Sequence, residues 1–128
     1  PGVLNFIPKL ENVYKDVHRL LRKGGRFMFS IANPALYMFD QGRLETGRLK
    51  LKYTLPFASD KALSPKQFQK LFASGGTVEY SHTLDDILGT LCSNGFSIEG
   101  YLSSGSDFEP IDSFLQDCYF SVLAVKKC

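Results

Sequence analysis

Between Leu10 and Leu21 the apolar side chains Leu10, Val13, Tyr14, Val17, Leu20 and Leu21 recur at three- and four-residue intervals. That spacing gathers them on one face of a helix. Glu11 and Asp16 lie toward its start, while Arg19, Arg22 and Lys23 crowd its last turn, which suits the helix dipole. Gly24 and Gly25 can take the positive φ that stops a helix and turns the chain. Arg26 to Ala32 (RFMFSIA) then shows too little alternation for a strand with one wet face, so it is expected to be covered on both. Asn33-Pro34 ends it, because proline has no N–H to give a ladder. Helix, glycine turn and buried strand make one unit of an α/β fold.

The pattern changes on either side of this unit. Ahead of it, Val3-Leu4 reads as the tail of a strand and Asn5 as a cap for the next element. Behind it, Tyr37, Met38 and Phe39 come after the strand end, and Gly42 and Gly47 mark turns. Leu49, Leu51, Tyr53 and Leu55 alternate with Lys50, Lys52 and Thr54, the period of a half-wet strand. Ser64-Pro65-Lys66-Gln67 is a helix start with a capping box and proline at the first helical position. Phe68, Leu71 and Phe72 face that short helix inward, Gly75-Gly76 stop it, and Thr77–Tyr80 can form a brief strand. Thr83 caps the next helix, whose expected buried stripe is Leu84, Ile87, Leu88, Leu91 and Cys92. Asn94-Gly95 end it. Phe96–Leu102 reads as a strand, Ser103–Asp117 as a polar, acidic loop in which Glu109, Asp112 and Asp117 are solvated, and Cys118–Val125 as a nearly continuous apolar strand.

Two of these stretches resemble class I S-adenosylmethionine-dependent methyltransferases. LENVYKDVHRLLRKGGRFMFSIANP (10–34) is similar to the segment after that family's fourth strand, where a helix ending in Arg-x-Leu-(Lys/Arg)-x-Gly-Gly runs into the fifth strand. VEYSHTLDDILGTLCSNGFSIEGY (78–101) is similar to a later segment, a Glu-aromatic-x-His entry to a helix followed by Gly-Phe and another strand. The resemblance covers most of the chain but only the family's C-terminal half; the glycine-rich cofactor loop is absent. It implies a Rossmann-like mixed sheet whose final strand inserts antiparallel between the other two. It also implies one partial domain over 1–128, with a substrate-side insertion over 34–82 that contains a hairpin. The expected cofactor is S-adenosyl-L-methionine, and the expected activity of the intact enzyme is methyl transfer to a small-molecule acceptor. Asn5, Phe6 and Ile7 fall where the family's fourth strand ends beside the cofactor; the competing reading is a helix entry with a hydrophobic staple. The insertion either shapes substrate choice or is a surface hairpin covering sheet.

Composition narrows the alternatives. At 128 residues, 44% hydrophobic and 22% charged, the chain is an ordinary single globular domain. No apolar run approaches the roughly 20 residues of a membrane span. Cys92, Cys118 and Cys128 lack metal-ligand spacing and are expected as free thiols in a reducing, cytoplasmic setting, with no metal site. Residues 1–70 hold 13 Lys and Arg against 5 Asp and Glu, and the remainder 2 against 8. The basic residues are too dispersed to track a phosphate backbone, so nucleic acid is not the expected partner. The chain starts at Pro1, which suggests processing, truncation or a boundary. An unpaired flank of the Arg26–Ala32 strand would then favour a homodimer or a missing N-terminal segment.

Candidate chemistry concentrates at two places. Ligands of open α/β sheets bind at the carboxyl ends of strands, so Asn33, Pro34 and Tyr37 are candidate substrate contacts. His82 has the right ordinary pKa for a general base and sits beside Tyr80, a further candidate substrate contact. The competing reading has His82 hydrogen-bonding the helix start. His18, alone on its helix, reads as structural. The alternative to an enzyme is a non-catalytic binding or oligomerisation module that kept half of a methyltransferase-like sheet.

Overall fold

Three strands, β1 (Arg26–Ala32), β2 (Phe96–Ser104) and β3 (Tyr119–Lys126), form one sheet in the order β1-β3-β2. The computed structural model describes residues 3–40, 43 and 46–128. β3 is antiparallel to both neighbours, so the last strand does insert between the other two. Its register sets Phe29 opposite Val122 and Ile31 opposite Phe120, and an irregularity at Glu99 shifts β2 against it. Helix α1 (Leu10–Leu20) packs Leu10 and Tyr14 onto Phe29, Ile31, Phe96, Phe120 and Val122, with Ile87 and Leu91 from a second helical segment. This layer covers one face of the sheet. No helix among the described residues is long and apolar enough to cross a membrane.

Several expectations require correction. β1 is not covered on both faces: Phe29, Ile31 and Ala32 are buried, but Met28 is 71% exposed. Both helical segments lie on one side, and the alternation Phe27, Phe29, Ile31 against Met28, Ser30 was masked by an apolar residue on the open side. Helix α1 ends at Leu20, with Leu21 already extended, so Arg22 and Lys23 lie beyond it and the glycines do not stop it. The Lys126 ammonium takes over that end, donating to the carbonyls of His18 at 2.6 Å and Leu21 at 2.8 Å. Gly24, at φ 80°, instead makes the turn into β1, where its N–H meets the Lys126 carbonyl at 2.8 Å.

Val3–Phe6 is a 3-10 turn rather than a strand tail. The alternating stretch 49–55 forms no strand, only a bridge between Phe39 and Leu51. Lys52 and Tyr53 N–H both donate to the Met38 carbonyl, which breaks the alternation a ladder needs. The turn expected at Gly42 lies outside the described residues. Thr77–Tyr80 likewise yields one bridge, Ala58 to Tyr80. The capping box is present: in α3 (Pro65–Ala73), after the short α2 (Ser59–Ala62), Ser64 Oγ accepts from Gln67 N–H and Gln67 Oε1 from Ser64 N–H.

Thr83 caps its helix through the Asp86 N–H at 3.0 Å, but the helix begins as a π turn over Asp85–Gly89 before α4 (Thr90–Ser93). The wider turn shifts the helical phase. Ile87 and Leu91 stay buried, whereas Leu84 and Cys92, at the two ends of the expected stripe, are exposed. The Tyr14 hydroxyl donates to the Ile87 carbonyl at 2.8 Å, and burial, then Asp86, raises its pKa above the ordinary tyrosine range.

Candidate functional site

A cavity of about 590 Å³ opens where β1 ends and β3 begins, lined there by Ala32 and Tyr119. Its walls come from three segments, each held by local hydrogen bonding. In the first, Asn33 caps the 3-10 turn Pro34–Met38: its Oδ1 accepts from Ala35 N–H at 3.0 Å, with buried Pro34 at the first position. Asn33 Nδ2 donates to the Asp117 carbonyl at 2.8 Å, fixing the turn to the start of β3. Leu36 and Tyr37 of that turn line the cavity.

The second wall joins residues 57–59 to 79–81. Phe57 N–H donates to Ser81 Oγ at 2.7 Å, and Ser81 N–H to the Phe57 carbonyl at 2.9 Å. Ser59 N–H donates to the Glu79 carbonyl and Glu79 N–H to Ser59 Oγ, both at 3.0 Å. The two serines are buried and use their hydroxyls as backbone substitutes. Phe57 is thereby set between two rings: Tyr37 stacks on it at 5.4 Å between centroids, and Tyr53 meets it edge-on at 5.0 Å.

The third wall is the stretch expected to be a solvated loop. Asp112, in the short helix α5 (Ile111–Phe114), accepts on Oδ1 from Ser106 Oγ at 2.6 Å, Ser106 N–H at 2.8 Å and Cys118 Sγ at 3.4 Å. The Ser106 hydroxyl and N–H hold the carboxyl below its ordinary range; burial, then Asp112, pushes the Cys118 thiol up. This anchor folds the segment inward and adds Ser106, Phe108 and Ile111 to the lining.

One charged side chain among the described residues lines the cavity. Glu79 Oε1 accepts from the Tyr37 hydroxyl at 2.9 Å. Burial, then the adjacent carboxylate, lifts Tyr37 well above the tyrosine range, so its phenol remains a donor. Burial also raises Tyr119, helped by Cys118 and Glu79.

No family model matches the chain. Over 103 residues it is 26% identical to "Uncharacterized methyltransferase YbaJ" of Bacillus subtilis, a match covering 80% of this chain and 40% of that protein. Its structure superposes over 98% of its length on a chain from Listeria monocytogenes provisionally described as an S-adenosylmethionine-dependent methyltransferase. The TM-score is 0.64 at 19% identity, covering 58% of that chain. An S-adenosylmethionine-dependent methyltransferase from Mesorhizobium loti gives 0.60 at 19% identity, over 96% of this chain and 58% of that one. The fold is that of these methyltransferases. The chain spans 40% of the Bacillus relative and 58% of each solved structure.

Within this methyltransferase fold the residues expected at the site divide. Tyr37 lines the cavity, and Asn33 and Pro34 hold the turn that presents it. Tyr80 and His82 sit together, 6.2 Å between ring centroids, but neither lines the cavity. His82 has φ 58° and places Nε2 3.1 Å from the Leu4 carbonyl; a carbonyl only accepts, so Nε2 carries the proton. It faces a separate recess of about 110 Å³ with Pro8, Lys9 and Asp86. The hydrogen bond thus goes to the opening 3-10 turn rather than to the helix His82 precedes.

Asn5, Phe6 and Ile7 do not line the cavity. Asn5 is fully buried and spends both polar atoms inside the chain: Nδ2 donates to the Tyr80 carbonyl at 3.2 Å and Oδ1 accepts from Ala32 N–H at 3.1 Å. Ile7 is half-buried against the core, and Phe6 is exposed. Sequence reasoning missed Tyr53, Phe57, Glu79, Phe108 and Tyr119. Glu79 had a signal, since it opens the Glu-aromatic-x-His segment; the four rings had none beyond the chain's richness in aromatics.

Proposed function

We propose that the whole protein transfers a methyl group from S-adenosylmethionine to a small molecule, and that this chain forms the acceptor side. The observation that carries this reading is the aromatic cavity at the carboxyl end of β1, the position where sheets of this type take ligands. Methyl transfer depends chiefly on orientation and on keeping water away. Tyr37, Tyr53 and Phe57 supply apolar, rigid walls for both, and Glu79 with the Tyr37 hydroxyl gives a fixed polar point against which an acceptor turns one way. His82 has a positioning part: it ties the opening turn to the segment that carries Glu79. His82→Ala is then expected to lower stability more than turnover.

The test is transfer of label from methyl-labelled S-adenosylmethionine into a small-molecule extract by the intact protein, with a calorimetric titration by S-adenosylhomocysteine alongside. Label moving into a low-mass product supports the reading. A folded protein that binds small molecules but moves no label supports the second one, a non-catalytic binding module, which the internally satisfied Asn5 favours.

A further inference from the structure

The lining of the cavity joins several aromatic rings to a single carboxylate, with no basic side chain among the described lining residues. We propose that its ligand is an apolar, ring-sized organic cation, a protonated amine whose charge is met by Glu79 and whose body lies against Tyr37, Tyr53 and Phe57. The inference rests on reading this cavity as the acceptor site and adds the chemical class of what enters it.

Charge and geometry both point this way. Among the described residues Glu79 accepts one side-chain hydrogen bond, on Oε1 from Tyr37, and a carboxylate has further acceptor positions on its two oxygens. An ammonium group supplies donors and a charge for them; a carboxylate or phosphate ligand would instead meet like charge with no cation in the described lining to offset it. Lys52 is tied to Asp40 at 3.7 Å and is not a lining residue. Its ammonium sits 5.3 Å from the centroid of the Tyr53 ring, a cation–π contact that holds that ring in place. The stacked Tyr37 and Phe57 rings and the edge-on Tyr53 ring form an aromatic corner of the lining against which the apolar body of such a ligand can lie. The volume, about 590 Å³, falls within the ordinary range for small-molecule sites of about 300–1,000 Å³. Phe108, 68% exposed, stands at the lining as an apolar surface that a bound ring would cover.

The probes are 2-phenylethylamine and its neutral counterpart of the same shape, 2-phenylethanol, titrated into the full chain by calorimetry and by methyl and aromatic NMR shifts. The amine is expected to bind at least about tenfold tighter than the alcohol, the scale of a charge-assisted hydrogen bond. Glu79→Gln keeps an acceptor for the Tyr37 hydroxyl, so the cavity stays formed, and is expected to bring the two probes to similar affinity. Equal binding of both probes by the unaltered chain, an amine preference that survives Glu79→Gln, or binding of neither would overturn the proposal. Failure of the proposed function looks different. Amine binding without methyl transfer by the intact protein would keep this inference and count against the enzyme, whereas transfer to neutral acceptors with no amine preference would do the reverse.

Discussion

Asn5 separates two accounts of the first residues, a contact with a cofactor and a buried strap. Its side chain spans from Ala32, the last residue of β1, to Tyr80, next to the carboxylate-bearing Glu79 of the cavity. Asn5→Ala deletes both links. The buried Ala32 N–H left without an acceptor costs about 1–3 kcal/mol, and the part-buried bond to the Tyr80 carbonyl contributes about 1 kcal/mol. The backbone bond from Tyr80 N–H to the Asn5 carbonyl, at 2.7 Å, survives and limits the damage. The expected loss is therefore about 2–4 kcal/mol, read as a lower urea midpoint at unchanged slope. A changed near-ultraviolet signal should accompany it as the tyrosines around the cavity lose their fixed setting. Asn5→Asp is a sharper probe, because a carboxylate still accepts from Ala32 N–H but cannot donate to the Tyr80 carbonyl. It should be less stable than wild type at neutral pH and recover partly in mild acid, where a protonated carboxyl can donate. An Asn5→Ala protein within about 0.5 kcal/mol of wild type, or an Asn5→Asp protein fully stable at neutral pH, would refute the strap.

Other outcomes rest on the same geometry. Tyr14→Phe removes the buried donor to the Ile87 carbonyl and is expected to cost about 1–2 kcal/mol in urea denaturation. Lys126→Met removes two hydrogen bonds at the end of α1 and is expected to cost about 1–2 kcal/mol, with faster amide exchange in the last turn. The Asp112 carboxyl is held below its ordinary value, so its contribution is present above the unfolded pKa of about 3.9 and lost as pH falls through the folded value. Stability against pH should show Asp112→Ala below wild type at neutral pH, the gap closing in acid. Met28 and Leu102, 71% and 74% exposed on the sheet, are proposed as a surface for a second copy or a further segment. Sedimentation should show self-association, and a well-folded monomer at high concentration would contradict that.

The parts legible in sequence were those set by local periodicity and capping chemistry. The apolar spacing in α1 placed Leu10 and Tyr14 in the core, and Ser64-Pro65-x-Gln67 gave the start of α3 with its reciprocal hydrogen bonds. The sheet order came from the resemblance, since periodicity alone does not say which strands are neighbours. The hidden parts depend on contacts between distant residues. Lys126, not the glycines, ends α1 because its ammonium reaches carbonyls more than a hundred positions away. The π turn is invisible to a 3.6-residue template, and it moved Leu84 and Cys92 off the buried stripe. Asp112 looked like one more solvated acid until Ser106 and Cys118 converged on it. Of the cavity the sequence pointed to Tyr37 and, through the Glu-aromatic-x-His segment, to the neighbourhood of Glu79; the other walls lie in irregular segments where side-chain hydroxyls replace a ladder.

The most direct test of the acceptor cavity is to fill it and measure both halves of the reaction. The chain has no tryptophan, so Leu63→Trp places a single bulky, fluorescent side chain in the lining. In the intact protein, with its denaturation midpoint retained, this variant should lose methyl transfer from labelled S-adenosylmethionine while binding S-adenosylhomocysteine as the wild type does. Undiminished transfer with the cavity filled, or loss of cofactor binding in its place, would contradict the account.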